Sequence, residues 1–256
     1  MKLLVCVKQV PDSTVRVKVG GDGRSIATEG IAWAVSPYDE YAIELALEHK
    51  DRDPGTVVSA VSVGPARARD ALRAALAMGC DDATLVTSSM DLGGLATARV
   101  LAKVVADSAP DVVLCGRQAS DDDQGFVGPA LAEVLGWPHV STVTKLAEKG
   151  GGLEAWKEVE GGHEVWTAPR QVVLTVQKSE KEPRYPSLPG IMKAKRKEIA
   201  EKDAAALGVD LASPAMEVRR LEPPAARGGG KILKDGDAAA LADELVGLLR
   251  REAKVL

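Results

Sequence analysis

Between Gly116 and Gly128 the chain reads Gly-Arg-Gln-Ala-Ser-Asp-Asp-Asp-Gln-Gly-Phe-Val-Gly, and these residue types suit the holding of a small anion. The stretch follows the apolar run Val112 to Cys115 and enters a helical pattern over Val127 to Leu135, whose amino end offers unpaired N–H groups. Glycines beside polar side chains at such a place could hold a phosphate. Asp121, Asp122 and Asp123 pull the other way. On spacing alone they read first as helix caps and loop-solvating charge, and three adjacent acids oppose a phosphate unless their carboxylates turn away. A Mg²⁺ site at the same acids is a weaker reading, because consecutive residues on an extended loop point in different directions. There is no GxGxxG after the first strand and no GxxxxGK[ST], so neither a dinucleotide fingerprint nor a P-loop is supported.

Catalytic constellations are harder to find. His49, His139 and His163 are scattered, with no HExxH and no GxSxG, and read as ordinary surface or capping histidines. Trp33, Trp137, Trp156 and Trp166 read as packing anchors. Glu158 beside Glu160 falls in a hairpin pattern and reads as exposed charge. No residue set here makes a self-sufficient enzyme.

A second stretch stands out for what it exposes. Lys181 to Lys197 reads Lys-Glu-Pro-Arg-Tyr-Pro-Ser-Leu-Pro-Gly-Ile-Met-Lys-Ala-Lys-Arg-Lys. Its three prolines predict an extended arm with neither a strand ladder nor a helix start. Tyr185, Leu188, Ile191 and Met192 lie on it, and apolar side chains on such an arm call for cover by another protein.

The elements that must position these stretches follow from periodicity. Leu3 to Val7, Val57 to Val63, Ala83 to Val86 and Val112 to Cys115 are near-continuous apolar runs, as in strands of a parallel sheet covered on both faces. Amphipathic stretches alternate with them. Tyr38 to Glu48 opens at Ser36-Pro37-Tyr38-Asp39, with a Ser cap and Pro at the first helical position; Arg67 to Met78 ends at Gly79, and Leu95 to Ala106 ends before Pro110. The alternation predicts a doubly wound α/β sheet, mostly parallel and Rossmann-like. Val15 to Val19 and Ser25 to Ala27, around Gly20 to Gly23, read as an inserted hairpin. Val140 to Leu146, Leu153 to Val159 and His163 to Trp166 read as a further β-rich segment with a Gly161-Gly162 turn. Beyond the arm the chain reads as irregular, with a tether marked by Pro223-Pro224 and Gly228 to Gly230 and a last helix over Asp237 to Arg251. The predicted division is a nucleotide-binding domain at 1–180 and a recognition arm with tether at 181–256.

With 45% hydrophobic residues the 256-residue chain can bury a sizeable core, and a net charge of −4 argues against a general nucleic-acid binder. Cys6, Cys80 and Cys115 have no CxxC or metal-ligand spacing and read as buried reduced thiols. The opening Met-Lys-Leu-Leu-Val-Cys-Val-Lys is too short for a signal peptide, and no run of about 18 apolar residues occurs, so a cytoplasmic protein without membrane insertion is expected.

Several motifs coincide in order along nearly the whole chain: Lys-Gln-Val-Pro-Asp after the first strand, Ser-Pro-Tyr-Asp-Glu at 36–40, Ala-Leu-Ala-Met-Gly at 75–79, Gly-Arg-Gln-Ala-Ser-Asp-Asp-Asp at 116–123, and Glu-Pro-Arg-Tyr-Pro-Ser-Leu-Pro-Gly-Ile-Met-Lys-Ala-Lys at 182–195. Together they resemble the β subunit of electron transfer flavoprotein, and the last is the most specific. The resemblance implies an electron carrier without catalytic residues of its own. It implies a heterodimer with an α subunit that holds most of the FAD, taking electrons from acyl-CoA or other flavin dehydrogenases and passing them to a quinone oxidoreductase. It implies a structural AMP in this subunit, enclosed by Cys6, Ser36, Pro37, Tyr38, Asp39, Val63, Gly116, Arg117, Gln118, Ala119, Ser120, Asp121, Asp122, Asp123, Gln124, Gly125, Phe126 and Val127. It implies partner contacts at Arg184, Tyr185, Leu188, Pro189, Ile191 and Met192, with Leu188 the anchor, and at Glu158 as a modulator.

The chain departs from the family pattern in two places. Ser13 stands where the family often has an aromatic residue near the flavin. The loop also lacks the Gly-Asp-Thr of electron-bifurcating relatives, which carry a second FAD, so AMP is favoured over that alternative. A stand-alone adenine-nucleotide sensor on the same fold is the other competing reading.

Overall fold

In the computed structural model, which describes residues 1–88, 92–211, 217–225 and 229–256, the apolar runs form the middle of one large sheet. In chain order the elements are β1 (Lys2–Cys6), β2 (Gln9–Pro11), β3 (Trp33–Val35), α1 (Pro37–Arg52), β4 (Val57–Gly64), α2 (Arg69–Met78), β5 (Asp82–Thr87), α3 (Gly94–Ser108) and β6 (Val112–Gly116). There follow α4 (Val127–Leu135), β7 (His139–Lys149), β8 (Gly152–Val159), β9 (Gly162–Ala168), β10 (Val172–Val176), α5 (Leu188–Arg196), β11 (Ala200–Asp203) and α6 (Ala238–Leu248). The nine-stranded sheet has the order β11-β5-β4-β1-β6-β10-β7-β8-β9, and β2 pairs with β3 in a separate antiparallel ribbon. From β11 to β7 every neighbouring pair is parallel, and β8 and β9 add an antiparallel extension.

The central strands carry apolar residues on both faces because helices cover both. Leu3, Val5, Val112, Leu114 and Leu174 pack with Ala42, Ile43 and Leu45 of α1 and with Leu72, Ala75 and Leu76 of α2. Leu4, Val113 and Val173 pack on the other face with Leu101, Val104 and Val105 of α3 and Leu131 of α4. The doubly wound architecture read from the sequence is therefore present. Among the described residues no helix is long and apolar enough to cross a membrane.

Three local expectations are corrected. The inserted hairpin reduces to one bridge, Val19 with Ile26, around a turn held by Asp22; Val15 to Val19 alternates like a strand but has no neighbouring strand to complete a ladder. The second correction concerns the proline-rich arm, which is not extended throughout. Residues 181–187 have no regular structure, but α5 begins at Leu188. Ser187 caps it, its Oγ accepting from the Gly190 N–H at 3.1 Å, and Pro189 falls in the first turn, where a missing N–H costs nothing. Third, the chain after α5 is not irregular at once: β11 pairs in parallel with β5 at the sheet edge.

Helix α5 lies against α2. A Cβ on Gly190 would sit 2.6 Å from the Ala77 carbonyl oxygen, so only glycine allows this approach. Arg73 of α2 donates to the carbonyls of Ala194 and Lys197, which satisfies the carboxyl end of α5. The first compact unit accordingly runs to Arg220 and not to residue 180; the second is Leu221–Leu256. Within the second unit α6 is capped by Asp237, and no residue of α6 is buried. Of the expected tether, Gly228 lies outside the described residues.

Candidate functional site

The chain leaves β1 toward β4 and β5, then returns to the other side of β1 to form β6 and β10. Strand order therefore reverses between β1 and β6. In open α/β sheets the loops beyond the carboxyl ends at such a point lead apart and leave a crevice for a ligand. The candidate cradle is built there.

Asp39, in the first turn of α1, ties the two strand ends together. Its Oδ2 accepts the Lys8 N–H at 2.7 Å, just past β1, and its Oδ1 accepts the Gly116 N–H at 2.9 Å, at the end of β6. The carboxyl is buried, and burial pushes its pKa up to about 7 against the opposing pull of those two N–H groups. Gly116 has no room for a side chain, since a Cβ would lie 2.3 Å from Asp39 Oδ1 and 2.8 Å from Tyr38 Cβ. Ser36 stands at the cap position of α1, but its hydroxyl does not cap. It is fully buried with no hydrogen-bond partner.

The acids of the loop are occupied internally. Lys8 Nζ donates to Asp121 Oδ1 at 2.7 Å and to Asp122 Oδ2 at 2.9 Å, while Gln118 Nε2 donates to Asp123 Oδ1. Burial works against the Lys8 charge, but the two carboxylates overcome it and hold its pKa above the ordinary lysine value. None of the three acids caps α4. That helix starts after Phe126 with no side-chain cap, so the reading of Asp121 to Asp123 as caps is not met. The loop between is shaped by Asp123 and Gly125 at φ 56° and 60°, and Arg117 reaches across to Gln177 Oε1 at 2.9 Å. Gly128 then brings α4 onto β10, where a Cβ would stand 2.3 Å from Thr175 Cγ2. The result is a loop whose three acids are each hydrogen-bonded within the chain, with the amino end of α4 left for an acceptor.

Hydrogen bonds and close approaches thus join Lys8, Tyr38, Asp39, Gly116, Gln118 and Asp121 to Asp123 at the ends of β1 and β6. The other residues of 116–127 lie on the same loop, Cys6 and Ser36 are buried on β1 and at the start of α1, Pro37 is exposed, and Val63 is on the next strand end. Cys6 and Cys115 are buried neighbours on β1 and β6, and the Cys115 thiol and burial together raise the Cys6 pKa, which keeps the Cys6 sulfur protonated and unreactive. Lys8 was not singled out from the sequence; its position directly after the first strand and before Gln-Val-Pro-Asp was the available signal.

Two background expectations change. His49 is buried, bound to Thr56 Oγ1 at 3.1 Å and facing Glu148, and so is a packing residue and not a surface one. Trp166 is half exposed on the edge strand β9 and anchors nothing, whereas Trp33 stacks under Arg67 at 4.1 Å.

The second region is α5 and its root. Tyr185 is 95% and Leu188 74% exposed, and Met192 and Ile191 share the open side, while Ala194 faces the core. Pro189 is exposed beside them. Glu158 is exposed on β8, opposite His163, and lines a polar cleft of ≈ 300 Å³ with Thr142, Thr144, Gln177 and Lys178. Arg184 differs from its neighbours. Its guanidinium turns inward onto Glu44 and Asp51 of α1, residues that the sequence did not mark.

Comparison with known proteins shows a family for the chain. A family model described as the electron transfer flavoprotein domain matches residues 24–207. The chain is similar to the electron transfer flavoprotein subunit beta of Bradyrhizobium diazoefficiens, 40% identical over 256 residues and covering 100% of both chains. It is similar in the same degree, 40% with 100% of each chain covered, to that of Bacillus subtilis. The bovine subunit is 35% identical, over 96% of this chain and 98% of its own.

Proposed function

The chain belongs to the electron transfer flavoprotein family, and on that premise we propose that it is the β subunit of a heterodimeric electron carrier that keeps a structural AMP at the β1/β6 crevice. The α subunit supplies most of the FAD site. Electrons enter from acyl-CoA or other flavin dehydrogenases and leave to a quinone oxidoreductase, with the flavin as the redox group and no residue of this chain acting as acid, base or nucleophile. The observation that carries the nucleotide reading is the internal pairing of Asp121, Asp122 and Asp123, which turns their carboxylates onto Lys8 and Gln118 and so lessens the repulsion that three free carboxylates would exert on a phosphate. In that reading the amino end of α4 and the 116–127 loop receive the phosphate, and Ser36 and Asp39 line the ribose and adenine side. Cys6 and Val63 close the wall.

Leu188 is the docking anchor of this reading. Its exposure leaves apolar area to be covered, and burying one leucine contributes roughly 1.5 to 3 kcal/mol, a scale suited to a short-lived encounter. Glu158 tunes that docking by charge, and the second unit, Leu221–Leu256, with an α6 that buries no residue of its own, adds to the hold on the α subunit. The cofactor reading is tested by co-expression with an α subunit, acid release and chromatography of the nucleotides. One FAD and one AMP per heterodimer is the expected result. Two FAD would select the bifurcating alternative, and a chain that binds adenine nucleotide fully without an α subunit would select the sensor.

A further inference from the structure

Arg184 is the one residue of the exposed recognition stretch that is tied back to the sheet layer by side-chain charge on two sides. Its Nε donates to Glu44 Oε2 at 2.8 Å, its Nη2 to Glu44 Oε1 at 2.9 Å, and its backbone N–H to Glu44 Oε2 at 2.9 Å. Nη2 also reaches Asp51 Oδ2 at 2.7 Å. The bonds to Glu44 raise the guanidinium pKa further above its already high value, and the pair is bidentate and planar, the strongest geometry open to these groups. Glu44 itself is 3% exposed, between Ile43 and Leu45 on the inner side of α1. A carboxylate there with no partner would be heavily penalised.

The chain from Arg184 to Leu188 has little slack. Pro186 lies within it, and α5 starts directly after Ser187. Tyr41 supports the same root through its hydroxyl, which donates to Glu182 at 2.5 Å. At the far end Lys197 Nζ donates to the Cys80 and Asp81 carbonyls. The helix that presents Leu188 is therefore fixed before any partner arrives, and a docking element held in its bound form loses less entropy on association. We infer that Arg184 is the positioning residue of the docking helix, seated by Glu44, and that it does not itself touch the dehydrogenase. This rests on the reading of Leu188 as the docking anchor.

The test uses the FAD-loaded heterodimer, with its KM as substrate of an acyl-CoA dehydrogenase as the readout. Glu44→Gln, which changes a residue no partner can reach, is expected to raise KM about tenfold with kcat and FAD content unchanged. Arg184→Gln should do the same, and the double substitution should be no worse than either alone. Arg184→Lys, which keeps the charge but loses the fork, should fall between parent and Arg184→Gln even if Glu44→Gln folds poorly. Hydrogen exchange over residues 184–192 should speed up in Glu44→Gln while α4 is unaffected. A raised KM in Arg184→Gln beside a parental KM and exchange in Glu44→Gln would overturn the inference and make Arg184 a direct contact. Leu188→Ala serves as control: if it leaves KM unchanged the docking reading itself fails, whereas a raised KM there with parental Glu44→Gln places the failure on the seat alone.

Discussion

The strand ends at β1/β6 and the exposed helix α5 solve opposite problems. At the strand ends the charged side chains are consumed internally, Asp39 by two backbone N–H groups and Asp121 and Asp122 by Lys8, and main-chain donors at the amino end of α4, with the unpartnered Ser36 hydroxyl, are what remains. On α5 the main chain is consumed, its ends satisfied by Ser187 and Arg73, and side chains remain. A site written in main-chain groups needs a fixed backbone, so its side chains are structural. A site written in side chains can lose one and stay folded.

The largest expected effect that would break this contrast is at Gly116. Gly116→Ala places a methyl against the Asp39 carboxylate and main chain, with no flexible neighbour to yield, and should cost more than about 4 kcal/mol, leaving little folded chain. Urea unfolding within about 0.5 kcal/mol of the parent would show that the strand ends are not fixed as described.

A pH dependence follows from the same tie. The unfolded chain ionises Asp39 near 3.8 and the folded chain near 7, so between those values the folded state holds a proton that the unfolded state has released. The stability contributed by this group is complete below about pH 4, falls as pH rises and is gone above about pH 7, an upper limit of about 4 kcal/mol. Asp39→Asn removes the titrating group and should flatten that fall, so that the variant's deficit in unfolding free energy against the parent is larger at pH 5 than at pH 8. Parallel curves would mean that the carboxylate is ionised throughout.

The smallest expected effect on the fold is at the other region. Leu188→Ala removes a side chain that is mostly in water and should shift stability by no more than about 0.5 kcal/mol in the same assay, while dehydrogenase-dependent flavin reduction slows. A loss of stability comparable to that of a core leucine would erase the distinction between the two regions.

Much of this was legible in the sequence, and the misses have physical causes. Strands β1, β4 and β6 are largely buried on both faces and so write themselves as near-continuous apolar runs, and the loop at 116–128 stands where the last of these ends. Helix α5 was hidden because Pro189 reads as a breaker, although Ser187 with Pro189 belongs to the same kind of helix opening as Ser36-Pro37, which was recognised. Strand β11, Ala-Glu-Lys-Asp, sits on an edge with little to bury and needs no apolar pattern. Val15 to Val19 shows the converse, an alternation without a neighbour to pair with. Arg184 was grouped with the partner contacts because its acids lie 133 and 140 residues upstream, a distance that no local pattern spans. The pairing of Lys8 was missed for the same reason, since it lies 113 and 114 residues from its acids.

Helix α1 begins in the crevice with Asp39 and, along the same sixteen residues, carries the Tyr41, Glu44 and Asp51 that hold the root of α5. The two regions therefore do not vary independently. A substitution that tilts or shortens this helix is judged twice, once for the nucleotide and once for the anchor, whereas changes beyond either end are judged once. On the proposed docking role, a change of partner has freedom on the open side of α5 and almost none on α1, so new specificities are written on the outer surface of a mount that has to stay as it is.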